Sequence, residues 1–584
     1  MSQQAQLSGG ISSARRQSSA TYLKLSALLL RSLLLMMMAA TVTAAVIKVP
    51  DDQSSIQAAI NAASSGDVIW VAQGTYQENL TLKAGVSLEG GWKSDFSARN
   101  WTAWASIVDG NASGSVVVGA SGAKLDGFTL RNGQATNGGG IRVENAAMTI
   151  RNNTVEDNKA SGAGGGIYIS ASPKAPPYTD IGNNLIRRNE VGTVAGGLGG
   201  GIHVTRSATG IRITGNTIGG AAGDGNKATW GGAGIYVEQT PIIQIEQNTI
   251  SHNSVDKGHG GGVMIVDGTP NATLGENLIE YNSSTAGNLG GGVYSIGGTF
   301  ISRNRIGKNS LFNPLSMGGG IAVDSFEGTP PRIENNFLYA NQADKGGGIY
   351  LVRGQNLILM NNSIASNKED KPNAGGGVYV ASAASCILQN NILWGNGDDL
   401  YQEVAGACTL SNNDIEDGDN AGQDGNITAN PLFVAYDDLH IGSGSPAIDS
   451  GRSAAAPSVD IDGDVRGSKV DIGADERPSE GGTPCPLVKS AQASYLEPHI
   501  DAVRAFRDRH LTTNLIGRVV ADGYYAVSPT IGVMIDSYPV LKTAVRIAVT
   551  PLVYAIAYPT AAVVALVAAL ALLIVRVRRR NKDY

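Results

Sequence analysis

Charge is scarce in this 584-residue chain: Asp, Glu, Lys and Arg make up 16% of it, against about 25% in ordinary globular proteins. The net charge is -6, which leaves no electrostatic case for a nucleic-acid partner. Aromatic residues are few, at 6%, and there are only 3 cysteines. So few cysteines suit an exported protein that does not depend on a disulfide framework. The 42% hydrophobic content excludes general disorder. What the chain has in excess is glycine, 77 residues, nearly twice the usual share of about 7%. These glycines follow no three-residue period, which excludes collagen.

The two ends read as targeting segments. Residues 1–44 carry Arg15, Arg16, Lys24 and Arg31, then the apolar run Leu33–Ala40 and small residues at Val42 and Ala44. This is the pattern of a secretory signal peptide with a long basic region. At the other end, residues 552–575 are free of charge and long enough, at about 36 Å, to cross a bilayer as a helix. Arg576, Arg578, Arg579, Arg580 and Lys582 follow, so residues 576–584 are expected in the cytoplasm and the bulk of the chain outside it.

Between the ends lies a repeat. Gly138-Gly139-Gly140-Ile141 recurs nine times in all, through Gly375-Gly376-Gly377-Val378, at spacings of 26 to 35 residues. A second signature alternates with it: Asn, any residue, an aliphatic, two residues, Asn, as in Asn153-x-Val155-x-x-Asn158. Asn216-x-Ile218 starts this pattern, but Ala221 breaks it. Each unit holds three short alternating segments, such as 346–352, 357–361 and 363–365, which read as strands with one face inward. One unit cannot bury its apolar face alone, whereas stacked units can. Asparagine suits a tight corner in the left-handed region, and its amide can bond the copy above. The expected fold is all-β, a right-handed parallel β-helix solenoid over residues 68–433. An N-terminal cap helix over 45–67 would precede it, with Ser54 and Gln57 forming a capping box and Ile56, Ala59, Ile60 and Ala63 as its apolar face.

These rungs resemble the parallel β-helix repeats of the pectin-lyase-like superfamily over roughly residues 46–480. The motifs NITANPLF, GSPAIDSG, DIDGDVRG and VDIGADE resemble the tail of bacterial choice-of-anchor Q proteins, which implies a closing segment over 434–480. Residues 481–551 are similar to a CFI-box-CTERM sorting domain, carried by Leu496-Glu497-Pro498-His499, Arg504-x-Phe506-Arg507-Asp508 and Tyr524-Tyr525-x-x-Ser528-Pro529. The box is degenerate, since Cys485 is followed by PLVKSAQAS. The resemblance implies a helical C-terminal membrane-anchoring region.

Sites were sought directly, because fold does not imply function. Gly258-His259-Gly260 resembles a motif of polygalacturonase-type hydrolases, yet its companion motifs are missing, so His259 reads as a loop histidine. Asp256, Asp267, Asp324 and Asp344 are scattered singly, which marks no lyase-type calcium site. Asp460, Asp462, Asp464 and Asp471 have the crowding of calcium ligands; the alternative is that they form Asx turns. Calcium is the only cofactor considered, and none is required. Tyr168, Tyr236, Tyr294, Tyr350 and Tyr379 recur just after the glycine runs, on the face opposite the inward aliphatics. That outward row suits sugar rings or protein partners, and equally plain sheet propensity. Cys386 and Cys408 have matching flanks 22 residues apart, which puts them on adjacent rungs; of a disulfide and two free thiols, the thiols are favoured slightly. The expected function is that of an exported, membrane-anchored cell-envelope or surface scaffold that binds polysaccharide or cell-surface components without catalysis. The alternative is a polysaccharide lyase or glycoside hydrolase.

Overall fold

The computed structural model describes residues 44–477, except 171–177, 193–195, 208–209, 267–268, 288, 326–329 and 372–373, together with Val503 and residues 539–557. Nearly all of the signal-peptide segment, of the 481–538 stretch and of the membrane segment beyond Ala557 therefore lies outside the described residues, as does the basic tail. Within them a helix spans Pro539–Ala557 with Pro551 inside it. No helix of the described residues is long and apolar enough to cross a membrane.

From Val68 onward the chain winds as a right-handed parallel β-solenoid. A sheet of 13 strands carries the segment after each Asn, and a sheet of 9 short strands carries the segment leading to each glycine run. A third sheet of 24 strands joins the runs after the glycines to the runs before the next Asn. Those two runs become one strand in Ile349–Met360 and in Val378–Gln389. The rungs stack in strict register: Ile141 on Ile167, Ile167 on Ile202, Ile202 on Ile235, and onward to Ile349 on Val378. All these inward aliphatics are fully buried in one continuous core.

Two positions of the glycine run are forced. The first glycine adopts a left-handed backbone, with φ of 64° at Gly138 and Gly164 and 67° at Gly199. A Cβ on the third would lie 2.6 Å from the carbonyl oxygen one rung on, as Gly166 does against Gly201 and Gly201 against Gly234. Only glycine lets the backbones approach this closely.

Two asparagine ladders run through the interior. One joins Asn153, Asn184, Asn216, Asn248, Asn277 and Asn304 through to Asn426, each amide donating to the next Oδ1 at 2.9–3.1 Å. The other runs Asn158, Asn189, Asn226, Asn253, Asn282, Asn309, Asn341, Asn367 and Asn396. The interrupted repeat is thereby corrected: where Ala221 breaks the sequence pattern, the chain loops out and Asn226 takes the ladder position. The left-handed corner is also not the ladder residue itself. It is the residue before, and its type varies: Asn152, Glu276, Tyr281, Arg303 and Lys308 all have φ near 56°. The ladder bonds hold each corner in a conformation that costs most side chains energy.

The helix Ile56–Ala62 forms as its apolar spacing predicts, but its N-cap is Ser55, not Ser54. Ser55 Oγ accepts from Ala58 N at 3.1 Å, and the Glu78 carboxylate accepts from the next two free N–H groups, of Ile56 and Gln57. Gln57 instead bonds Asn61 and Thr81. Ile56, Ala59, Ile60 and Ala63 join the core of the coil.

Cys386 and Cys408 lie in register as their flanks predict. They form a disulfide, with α-carbons 4.4 Å apart, within bonding reach. The expectation of two free thiols is corrected on that point.

The segment after Asn426 turns back along the coil. Leu439, Ile461 and Ala474 pack with Phe337, Tyr339 and Ala365, and Ile441, Ala447 and Ile472 with Ile392. The residues expected to close the coil thus strap the outer face of the 13-stranded sheet. Asn335 Nδ2 donates to Val459 O at 2.7 Å and Asn361 Nδ2 to Asp471 O at 3.1 Å.

Candidate functional site

The five tyrosines do share one register line, from Tyr168 through His203 and Tyr236 to Tyr294, Tyr350 and Tyr379. Their expected exposure is corrected: Tyr236, Tyr294, Tyr350 and Tyr379 are only 3–6% exposed. Leu289 and Met317, which immediately precede glycine runs, join Tyr294, Tyr350 and Tyr379 in an apolar cluster, while Tyr168 is half-buried. The rings stack on each other, Tyr168–His203–Tyr236 at 5.3 and 4.9 Å and Tyr350–Tyr379–Tyr401 at 4.9 and 5.0 Å. The Tyr379 hydroxyl donates to Glu403 at 2.6 Å and accepts from Lys345 Nζ at 2.7 Å. Tyr379 thus has both ring faces covered, by Tyr350 and Tyr401.

The four acids expected to bind calcium are largely taken up by the strap. Asp460 Oδ1 accepts from the N–H groups of Asp462 and Asp464 at 3.0 and 2.8 Å, and Oδ2 from Glu476 N at 3.1 Å. Asp471 accepts from Asp449 N and Arg477 N, both at 2.7 Å. The Asp460–Asp462 bond is an Asx-type turn, whereas the Asp471 bonds reach farther along the chain. Burial and the neighbouring Asp462 and Asp464 hold the Asp460 carboxyl well above the usual range, and burial pushes Asp471 up to about 7. The arginine of the same motif, Arg466, pairs with Glu476 at 2.9 Å and donates to Asn335 Oδ1 at 2.8 Å. This buried pair rivets the strap to the coil.

Beside these turns the structure assembles a group that the sequence reading missed. His440 lies between two carboxylates: Nδ1 bonds Asp438, and Nε2 lies 2.9 Å from Asp462 Oδ2. Asp475 completes a trio with His440 and Asp462 whose donor atoms all fall within 4.8 Å of one another. Burial opposes a charge on the imidazole, but Asp462 and Asp438 outweigh it and raise its pKa well above the ordinary value. Phe337 meets the ring edge-on at 5.0 Å. A local signal was present: Asp438 and His440 alternate on one strand, which puts both side chains on one face.

His259 is a loop residue. Its Nδ1 accepts from Leu289 N at 3.2 Å, its ring tilts against Tyr294, and burial lowers its pKa. Asp324 pairs with Arg353 and Asp344 with Lys371; Asp267 lies outside the described residues.

An open groove of about 760 Å³ runs beside the first strands of the 9-stranded sheet. Gln134, Thr136, Asn137, Arg142, Lys159 and Glu190 are among its lining residues. Lys159 lies 3.4 Å from Glu190, and Arg142 keeps a buried Nε without a hydrogen-bond partner. Among the described residues Glu190 is the single carboxylate in the lining.

Stacked coils of this register define a parallel β-solenoid. The chain belongs to the family of the right handed beta helix region, whose profile matches residues 81–218, 113–308 and 292–434. Among solved structures it is similar to the crystal structure of pectate lyase Pel9A, at 13% identity over 75% of this chain and 98% of that one, with a TM-score of 0.33. No curated protein matches it.

Proposed function

We propose that this chain is an exported β-helix scaffold of the cell envelope or surface, tethered by its C-terminal segment, that binds glycans without cleaving them. The observation that carries the binding role is the groove beside Gln134–Asn137 and Lys159–Ala163. It is long, open and lined by amides, hydroxyls, Arg142 and Lys159, groups that hydrogen-bond sugar hydroxyls and carboxylates. Hydrolysis of a glycosidic bond ordinarily uses two carboxyl groups, and among the described residues the lining offers Glu190 alone, beside Lys159. The export and anchoring part of the reading rests on residues 1–44, 481–551 and 552–575 of the sequence. Calcium at Asp460, Asp462, Asp464 and Asp471 is not part of the proposal, since Asp460 and Asp471 spend their oxygens on backbone N–H groups.

One observation favours the enzyme reading. Burial, with Asp417 nearby, raises the carboxyls of Asp398 and Asp399, the latter to about 6, and raised acids serve as proton donors in glycosidases. Against it, Asp399 Oδ2 is occupied by the N–H groups of Glu416 and Asp417.

The test is incubation of the full chain with a panel of neutral and acidic polysaccharides. Retention on an immobilised glycan, unchanged glycan ends, and retention weakened about tenfold in the Arg142→Ala, Lys159→Ala double variant support the reading. New reducing or unsaturated ends overturn it.

A further inference from the structure

We propose that the strap holds one divalent transition-metal ion, of the zinc type, on His440 Nε2 and the carboxylates of Asp462 and Asp475. The three donors come from separate stretches of the strap and lie within 4.8 Å of one another. A tetrahedral ion with ligands at about 2.1 Å sets donors about 3.4 Å apart, so side-chain shifts of about 1.4 Å at most, closing the longest separation and opening the 2.9 Å contact of Nε2 with Asp462, complete the site. A water fills the fourth position.

The orientation of the imidazole is the first argument. Asp438 bonds Nδ1 and so aims Nε2 at Asp462, 2.9 Å away. An outer carboxylate on one ring nitrogen, which fixes the tautomer and turns the other nitrogen to the ion, is the usual support of a metal-bound histidine. Leu439 is buried against Phe337 and Tyr339, and Phe337 meets the ring edge at 5.0 Å, so the ring is held from the coil side as well.

The charge balance is the second argument. Asp460 is 1% exposed, and its Oδ1 accepts from the N–H groups of Asp462 and Asp464. His440 Nε2 pairs with Asp462 at 2.9 Å, and the guanidinium groups nearby are shared with other partners. Arg466 is paired with Glu476 at 2.9 Å. Arg305 reaches Asp462 only at 3.7 Å and lies over the Phe337 ring at 5.3 Å. An ion between Asp462 and Asp475 displaces the Nε2 proton of His440 and takes over its charge pairing with Asp462. A nitrogen donor together with few oxygens favours zinc-like ions over calcium and magnesium, which take oxygen ligands in larger number. The ion joins the hairpin strand Asp438–Ile441, the turn at 460–464 and the end of the strap at 475, so its effect is to lock the strap onto the coil.

The experiment uses the full chain, stripped with a chelator and titrated with zinc chloride and, separately, calcium chloride by calorimetry. Hydrogen exchange of residues 433–477 is followed in parallel. The expected result is one zinc per chain, slower exchange in that segment on zinc addition, and no heat with calcium. His440→Gln and Asp475→Asn should weaken zinc binding at least tenfold. Asp438→Asn keeps all three donors and should weaken it about tenfold. Metal-free exchange of each variant shows whether the strap still folds, and the slowing by zinc in the wild-type chain stands as a readout free of any variant. No zinc uptake by the wild-type chain overturns the proposal. So does uptake undiminished in the folded variants, which places the ion elsewhere, for instance on His499 or His510, and so does a preference for calcium.

Discussion

Removing one asparagine from the interior ladder tests the account of what holds the coil. In Asn309→Ala the side chain loses four bonds. Its Nδ2 donates to Ile279 O at 2.9 Å and Asn341 Oδ1 at 3.0 Å, and its Oδ1 accepts from Asn282 N and Asn282 Nδ2, both at 3.0 Å. Two of the four partners keep a second bond: Asn282 Nδ2 still reaches Ile250 O, and Asn341 Oδ1 still accepts from the backbone N of residue 309. The Asn282 N–H loses its partner with no replacement, whereas the Ile279 carbonyl loses its side-chain donor but stays in the ladder opposite Ile306. Asn309 is fully buried, so no water takes over. At about 1–3 kcal/mol for the buried N–H left without its partner and about 1 kcal/mol for the carbonyl's lost bond, the loss is about 3 kcal/mol. Asn309→Asp should cost more at pH 7, because it buries a carboxylate and turns a donor into an acceptor facing Ile279 O and Asn341 Oδ1. The control is Asn271→Ala, exposed and making one bond of 3.2 Å to Pro241 O, with an expected change under about 1 kcal/mol. Urea unfolding of the full chain, with hydrogen exchange across rungs 277–341 to locate the opening, measures both. If Asn309→Ala lies within about 1 kcal/mol of the control, the ladder does not stabilise the coil as argued.

Other consequences follow from single positions. Gly201→Ala sets a Cβ 2.6 Å from Gly234 O and 3.1 Å from Asn226 Nδ2; the overpacking should cost about 2 kcal/mol and lower the melting temperature, whereas an unchanged melt would contradict the rung spacing. Burial raises Asp414 from 3.8 to about 6, and its buried Oδ2 has no hydrogen-bond partner. Because this pKa is raised in the fold, the stabilising contribution is complete below about pH 4 and is lost as pH rises through about 6, by at most about 3 kcal/mol. Asp414→Asn should therefore gain on the wild-type chain between pH 5 and pH 7, and parallel stability–pH curves would refute the assignment. Alkylation of the denatured, unreduced chain should modify one of the 3 cysteines, and all of them after reduction, since Cys386 and Cys408 are joined. Reduction should lower stability by about 3 kcal/mol for a loop of this length; three labels without reduction would show that the thiols are free.

What recurs in every rung was legible in the sequence. The inward row of Ile141, Ile167 and their equivalents and the Cys386–Cys408 register follow from spacing alone, because each rung repeats the same contacts with its neighbour. What happens once was not legible. Asn226 enters the ladder across an insertion because a hydrogen-bond position one rung away selects it, not its place in the count. Tyr294, Tyr350 and Tyr379 are covered in a cluster with Leu289 and Met317, which precede two of the glycine runs, a contact that alternation within a strand does not reveal. The strap contributes most to this difference. Arg466 meets Asn335 from 131 residues away, and His440 meets Asp462 and Asp475 only after the chain has doubled back on the coil. Periodicity determines the solenoid because its energy is local and additive from rung to rung. The candidate metal corner depends on contacts made once, between stretches with no shared period, and only the tertiary structure brings those together.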